Sequence, residues 1–516
     1  MPVKGPVRGA YQIDELVLMD FSQRNFVDLG NHTQSIIMKE SIYQPYLTLE
    51  IIVNDTAALH EQLPMLGEEI IFMSWKDGES VSQGDPTRYF RKMFYVISLT
   101  NLKDPKPTAQ TYTIKAASPE FFMDKKLKVY GGWSGDPYSQ IAKEVYEKWL
   151  SRPLSKKFPG YEKKLYIEDT KGGGNLACPG WSPIKTLEWL ATKSQSNTRG
   201  TRGALYMYWE SMHGVYFKSI ETLMQKTNDF GESDIQLKIP QIHLVPPSVS
   251  TGEENVQQAY EQLIPDEYSF PQLFNSAHKL EQGMIANRVV GLDYIHHKVY
   301  NYDFYYDQQG IQQGHAYAKN ILNSSVSFLN PDPDTRQGKF PVVQVTAISG
   351  SGDDRTRDVL SGEGFTRSNR MSQLEQIRQL QFEAVVPYSA DYETGSFCYV
   401  YIPSKAGTQD SSLNGLTSGK YLVTGLDHLL IAGLYKLRVK LVKESLLQNI
   451  DEALDLDTGQ EENVSPFSGT PVAGGVGVKQ PKRVSAQNDA LDPLDEETYK
   501  QVSFHELTPS EVGPSS

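Results

Sequence analysis

The stretch Lys171-Gly172-Gly173-Gly174-Asn175 has the composition of a phosphate loop. It lacks the Gly-Lys-Ser/Thr ending that would supply the ammonium and the magnesium-ligating hydroxyl, so a plain flexible turn is the better reading. Tyr294-Ile295-His296-His297 brings two imidazoles together in sequence. On a strand they point to opposite faces and cannot chelate one ion, and a metal site needs at least three converging ligands. Glu68 and Glu69 are adjacent carboxylates, more readily a strand end than the two acids of a glycosidase. Arg199-Gly200-Thr201-Arg202-Gly203 is a basic loop that reads as a solvated connector. There is no G-x-S-x-G elbow, no H-E-x-x-H helix and no G-x-x-x-x-G-K-[ST] loop. The sequence therefore predicts no catalytic, cofactor-binding or metal residues, no cofactor, and a protein that is not an enzyme. Cys178 and Cys398, the two cysteines, read as buried free thiols rather than a disulfide framework.

The elements around these residues are mostly extended. Leu47, Leu49, Ile51 and Val53 alternate in the manner of a half-buried strand. Asn54-Asp55-Thr56 then offers caps for a short helix, Ala57 to Leu63, stopped by Pro64. Strands are predicted over 69–75, 93–99 and 111–116, which argues for an antiparallel barrel or sandwich over residues 1–118. Residues 119–202 change character, with helices at Tyr138 to Leu150 and Ser182 to Lys193. A hairpin, 205–210 with 215–220, follows around Met212-His213-Gly214. Residues 241–372 are mixed: a helix at Val256 to Leu263, strands around Arg288 to Asp303, and loop-rich sequence from Asn323 to Asn369. A short helix, Met371 to Leu380, precedes strands at 382–386, 397–402, 420–426 and 435–442.

A chain of 516 residues exceeds what one core usually organises, so several domains are expected. The net charge of −13 is concentrated at the end. Residues 451–516 hold thirteen carboxylates against Lys479, Lys482, Arg483 and Lys500, so that segment carries −9. The remaining body is close to neutral, without the clustered cations that sequence-independent nucleic-acid binding needs. No apolar run is long enough to cross a bilayer, and the start does not read as a secretory signal, so a membrane role is not expected and the expected place of synthesis is a cytoplasm. After Leu447 no sustained apolar pattern remains, and the acidic segment reads as an extended tail.

Three stretches resemble the baseplate hub family of contractile-tailed bacteriophages, related in fold to the front part of type VI secretion spike proteins. The first runs Ser41 to Leu47, Val53-Asn54-Asp55 and Leu59 to Leu63, then Pro64-Met65-Leu66-Gly67-Glu68-Glu69. The second is Tyr112 to Phe121, Tyr130-Gly131-Gly132, Tyr138 to Ile141, Trp181 to Ala191 and Tyr206 to Ser219. The third is Ser418 to Val423 with Asp427-His428 and Tyr435 to Val442. The resemblance runs discontinuously over about residues 36–445; the long 241–372 region and the acidic tail depart from it. It implies an α+β, mainly β chain with two tail-tube-like antiparallel β-barrels, inserted α+β domains and an extended C-terminal tail. The division would be 1–118 for the first barrel and 119–202 for an α+β domain. Residues 203–240 plus 373–448 would form the second barrel, 241–372 an inserted α+β domain, and 449–516 the tail.

The same resemblance implies a homotrimeric hub in the virion tail baseplate, joining a sixfold tail tube to a threefold spike. Its partners would be itself, the tube or tube-initiator protein, the central spike, the tape-measure C-terminus and wedge proteins, with DNA only passing through the channel. Both barrels should then share one topology. The helix Ala57 to Leu63 in the first would be matched by the loop Ser404 to Ser418 in the second. The competing readings are a receptor-binding tail protein, which aromatic richness permits, and a tail-associated cell-wall hydrolase, for which no lytic motif is visible. The spike itself would need a repetitive β-helix, and no such repeat is present.

Overall fold

The computed structural model describes residues 9, 11–20, 24–59, 63, 65–77, 89–106, 109–197, 203–225, 240–244, 264–293, 297–306, 342–348, 355–403, 414 and 417–443. The expected helix at 256–263, the Ser349–Asp354 loop and the acidic tail lie outside these residues. Seven strands open the chain: β1 (Tyr11–Met19), β2 (Phe26–Asp28), β3 (Thr33–Ser41), β4 (Thr48–Asp55), β5 (Ile70–Asp77), β6 (Tyr89–Lys106) and β7 (Ala109–Ala117). A middle layer follows, with α1 (Pro119–Lys126), β8 (Val129–Asp136), α2 (Tyr138–Val145), a π turn over Tyr146–Ser151 and α3 (Arg152–Lys157). It continues through β9 (Leu165–Ile167), β10 (Gly174–Trp181), α4 (Pro183–Lys193), β11 (Tyr206–Glu210), β12 (Val215–Ser219) and α5 (Ile220–Gln225). Next come β13 (Gln241–His243), β14 (Glu267–Gln272), α6 (Ser276–Glu281), β15 (Ala286–Asp293), β16 (Lys298–Tyr305) and β17 (Val342–Ile348). The chain closes with α7 (Arg355–Ile377), β18 (Leu380–Pro387), β19 (Phe397–Tyr401), β20 (Gly419–Ile431) and β21 (Leu434–Lys443).

Thirteen of these strands form a single sheet made of two units. In the first, the spatial order is β1-β5-β6-β7-β4-β3; in the second it is β13-β19-β20-β21-β18-β14. Numbered by their succession along the chain, the two orders are the same permutation. Four of the five neighbour relations agree in direction; the exception is β1–β5, antiparallel, against β13–β19, parallel. The register agrees as well. A one-residue bulge at Ile97 in β6 corresponds to one at Thr424 in β20, each two ladders from the matching edge strand. Aligned on these bulges, the pair Glu50 opposite Lys115 falls on Glu383 opposite Lys440.

The strands of each unit alternate as their sequence does. Leu49, Ile51 and Val53 of β4, and Phe382, Ala384 and Val386 of β18, turn into one apolar core that runs through both units. Tyr435, Leu437, Val439 and Leu441 of β21 join them there.

Three features differ from the sequence expectations. Neither unit closes into a barrel among the described residues; the sheet is an open path from β14 to β2. The reason lies in β20, which pairs with β19 through Leu422 and then gives the same edge to β3 from Gly425 onward. An edge that would seal a barrel joins the two units instead. Second, the hairpin β11–β12 does not enter the second unit. It pairs in parallel with β9, and every residue of both strands is buried. Aromatic stacks explain the burial on one side, with Tyr216 sandwiched between Tyr166 at 4.7 Å and Trp209 at 5.1 Å. Strands of the 241–372 region, β13 and β14, take up the positions in the second unit. Third, the connection matching residues 56–69, between β4 and β5, is 388–396 between β18 and β19. Ser404 to Ser418 instead joins β19 to β20, the counterpart of the β5–β6 link.

Candidate functional site

Among the described residues, a group of ionisable side chains is buried where the two units meet the middle layer. Lys163, in the segment before β9, sends its ammonium to Glu120 Oε2 at 2.6 Å and to Glu210 Oε1 at 2.5 Å. Glu120 stands in the first turn of α1, which Pro119 starts directly behind β7. Glu210 ends β11, and its other oxygen accepts from the Ser118 hydroxyl at 2.6 Å and the Leu47 N–H at 3.2 Å. Both carboxylates are about 2% exposed or less. Lys92 of β6 lies close by, donating to the Met212 carbonyl at 2.7 Å.

A second group shares the Met212 turn. Glu40, a buried residue of β3, accepts from the Met212 N–H at 2.6 Å and the Thr394 hydroxyl at 2.7 Å, with His428 Nε2 at 4.0 Å. Glu393 accepts from the Ser211 hydroxyl at 3.2 Å and from the Tyr216 hydroxyl. His428 Nδ1 meets the Tyr435 hydroxyl at 2.8 Å.

Burial and neighbouring charge act in opposition here. Desolvation raises the Glu120 carboxyl, with Glu210 adding to the rise and Lys163 opposing it; the net direction is up. Glu393 is likewise raised by burial. Burial also pushes Glu40 up, but His428, Thr394 and the Met212 N–H outweigh it and hold it below the usual range. Lys92 is lowered to about 8 by burial and by the Lys163 charge. Lys163 goes the other way: burial disfavours its charge, but the two carboxylates more than restore it.

Chemically, this is a joint. The two carboxylates are buried against one shared ammonium. What the arrangement can do is lock β6, α1, the β9 approach and β11 into one geometry.

The residues singled out by type are placed separately. Gly172 occupies the left-handed region at φ +75°, and a Cβ on Gly173 would lie 2.1 Å from the Gly135 carbonyl oxygen. The glycine run thus lets the chain pass against β8, and composition alone suggested phosphate. Glu69 is buried and accepts from the Leu66 and Gly67 N–H groups at 2.6 and 3.0 Å, capping its own turn, while Glu68 is exposed. His297 sits at φ 52° in the β15–β16 turn; His296 and Arg199 to Arg202 lie outside the described residues. Among the described residues no three His, Cys, Asp or Glu side chains converge as a metal site. Cys178 and Cys398 are both buried and free. Lys163, Glu120 and Glu210 were not singled out from sequence; their only signal was polar residues beside apolar runs.

No protein-family model matches the chain, and no curated protein does. Several solved structures are similar to it. A tail protein from Neisseria meningitidis MC58 is 9% identical, with 84% of this chain and 97% of that one covered at a TM-score of 0.47. The 43 kDa tail protein of prophage MuSo2 from Shewanella oneidensis is 9% identical over 84% and 98%, at 0.46. A type VI secretion system component from E. coli is 8% identical over 84% and 77%, at 0.36.

Proposed function

We propose that this chain is a structural component of a phage-type contractile tail: a homotrimeric baseplate hub that adapts a sixfold tube to a threefold spike around a channel. The observation that carries the reading is the internal repeat, two six-stranded units with one strand order and a shared bulge position. A sixfold ring offers six equivalent surfaces, and three chains meet all six when each presents two near-copies. In this reading the buried Lys163 joint sets the angle between the units and the middle layer. The tube or tube-initiator protein and the central spike are the axial partners, with the tape-measure C-terminus and wedge proteins around them.

Native mass spectrometry of the purified chain, alone and co-expressed with its spike, tests the assembly. A trimer is expected in at least one condition, and monomer in both overturns it. Absence of catalysis belongs to the same proposal. Zymography on peptidoglycan is expected to show no clearing, and a lytic band lost on substituting one of the chain's carboxylates would replace the hub with a hydrolase.

A further inference from the structure

The repeat leaves one contact made in one unit and open in the other. In the second unit, β20 outruns β19 after Leu422, and β3 fills the vacated edge antiparallel, with Gly425 opposite Ser41 and Ile431 opposite Ser35. The counterpart of β20 in the first unit is β6. It too outruns its neighbour: β5 ends at the Ile70–Tyr95 pair, whereas β6 continues along β7 to Lys106. Beyond Tyr95, no strand among the described residues pairs with that side of β6. The counterpart of β3 is β14, which pairs with β18 on one side and with no described strand on the other. Exposure follows the same logic. Ile36 of β3 is 1% exposed, while Tyr268, its equivalent in β14, is 54% exposed. On the open strand, Leu102 is 53% exposed.

We infer that β14 of one copy of this chain adds antiparallel to the open edge of β6 in a second copy, repeating between chains the β3–β20 contact made within each. The inference rests on the self-assembly reading above and names the surfaces that would carry it. A contact between the edges of two different strands is heterologous, head to tail, and closes as a ring when the rotation from copy to copy completes a full turn.

The internal template also sets the register. Asp427 faces Lys39, and Leu429 faces Ile37. Thr100 pairs with Thr113 as Asp427 pairs with Arg438, and Lys103, past a further bulge that β20 lacks, pairs with Thr111 as Leu429 pairs with Lys436. Carried across the repeat through these partners, Thr100 faces Gln272 of the second copy and Lys103 faces Ser269 of it. Lys103 then lies diagonal to Glu267, opposite in charge. Pro271 falls in the β14 bulge between Ser269 and Gln272, a position that tolerates a missing N–H.

Two double variants of the full chain test this, T100C with Q272C and K103C with S269C, against the offset pair T100C with Y268C. After mild oxidation, an in-register pair is expected to link different chains and to convert the single-chain band into one closed covalent species. The offset pair, too far apart to bridge, stays unlinked. If light scattering shows an oligomer whose in-register pairs link no better than the offset pair, or link within one chain, the edge pairing is overturned and the hub reading survives. A monomer alone and with spike, with no linked species, overturns both.

Discussion

Replacing Lys163 by Met removes the one ammonium that two buried carboxylates share. The side chain is unbranched in both residues, so packing changes little and the effect is electrostatic. Two charge-assisted hydrogen bonds, at 2.6 and 2.5 Å, are lost. At roughly 1.5–3 kcal/mol for each hydrogen bond to a charged group, the loss is roughly 3–6 kcal/mol. Breaking a buried pair by removing one partner independently gives about 3–5 kcal/mol. For a cooperative unit of roughly 150–250 residues, at roughly 2–4 °C per kcal/mol, melting falls by roughly 6–20 °C. The loss should shrink at low pH, because protonated Glu120, already raised by burial, no longer needs a cation. Thermal melting from pH 5 to 8 measures it, with Lys125→Met as the comparison: Lys125 also contacts a carboxylate, but 63% of its side chain is exposed and its loss should shift nothing measurable. An unchanged melting temperature for Lys163→Met, or a deficit that deepens as pH falls, would refute the reasoning.

Other expectations follow from named contacts. Burial lowers Lys443 to about 7 and Lys420 to about 8, so between those values and the ordinary lysine range the unfolded chain binds more protons. Stability should therefore rise as pH goes from about 7 toward 10, and Lys443→Met should flatten that rise in a pH series of thermal melts. Gly173→Ala would set a methyl against the Gly135 carbonyl at 2.1 Å and should open the β8–β10 ribbon, read as faster hydrogen exchange at 129–136 and 174–181. Cys398 is fully buried with its thiol pushed up by that burial, and Cys178 is buried too. Neither should react with an aromatic disulfide reagent until the protein is denatured, and a fast native reaction at either would contradict the packing.

Local elements were legible where one residue pattern sufficed. The helix at 182–193 appears as α4, with the Ser182 hydroxyl accepting from the Lys185 N–H at 3.4 Å. The hairpin at 205–220 and the last four strands are present, each within a few residues of its expected bounds. The helix from Tyr138 runs on through a π turn to Lys157, with Pro153 placed directly after the π turn, at the second residue of α3. The helix expected from Met371 begins at Arg355: Gly362 and Gly364 read as loop, yet Gly364 lets α7 lie against the Tyr302 ring. What sequence could not supply was pairing. That β12 takes β9 in parallel, or β20 takes β3, depends on edges set by packing far away along the chain. The ionic joint was hidden for the same reason, since Lys163 stands 43 residues from Glu120 and 47 from Glu210.

The β3–β20 ladder also sets a schedule for biosynthesis. Ser41 and Thr424, bonded across it, are 383 residues apart. At roughly 5–20 residues per second on the ribosome, β3 emerges roughly 20–80 s before its partner. Through that interval the first unit has its strands but not the neighbour for its β3 edge. On a polysome, the nearest complementary β20 can belong to the nascent chain ahead. A ladder closed this late favours exchange between nascent chains, and slower elongation lengthens the window for it.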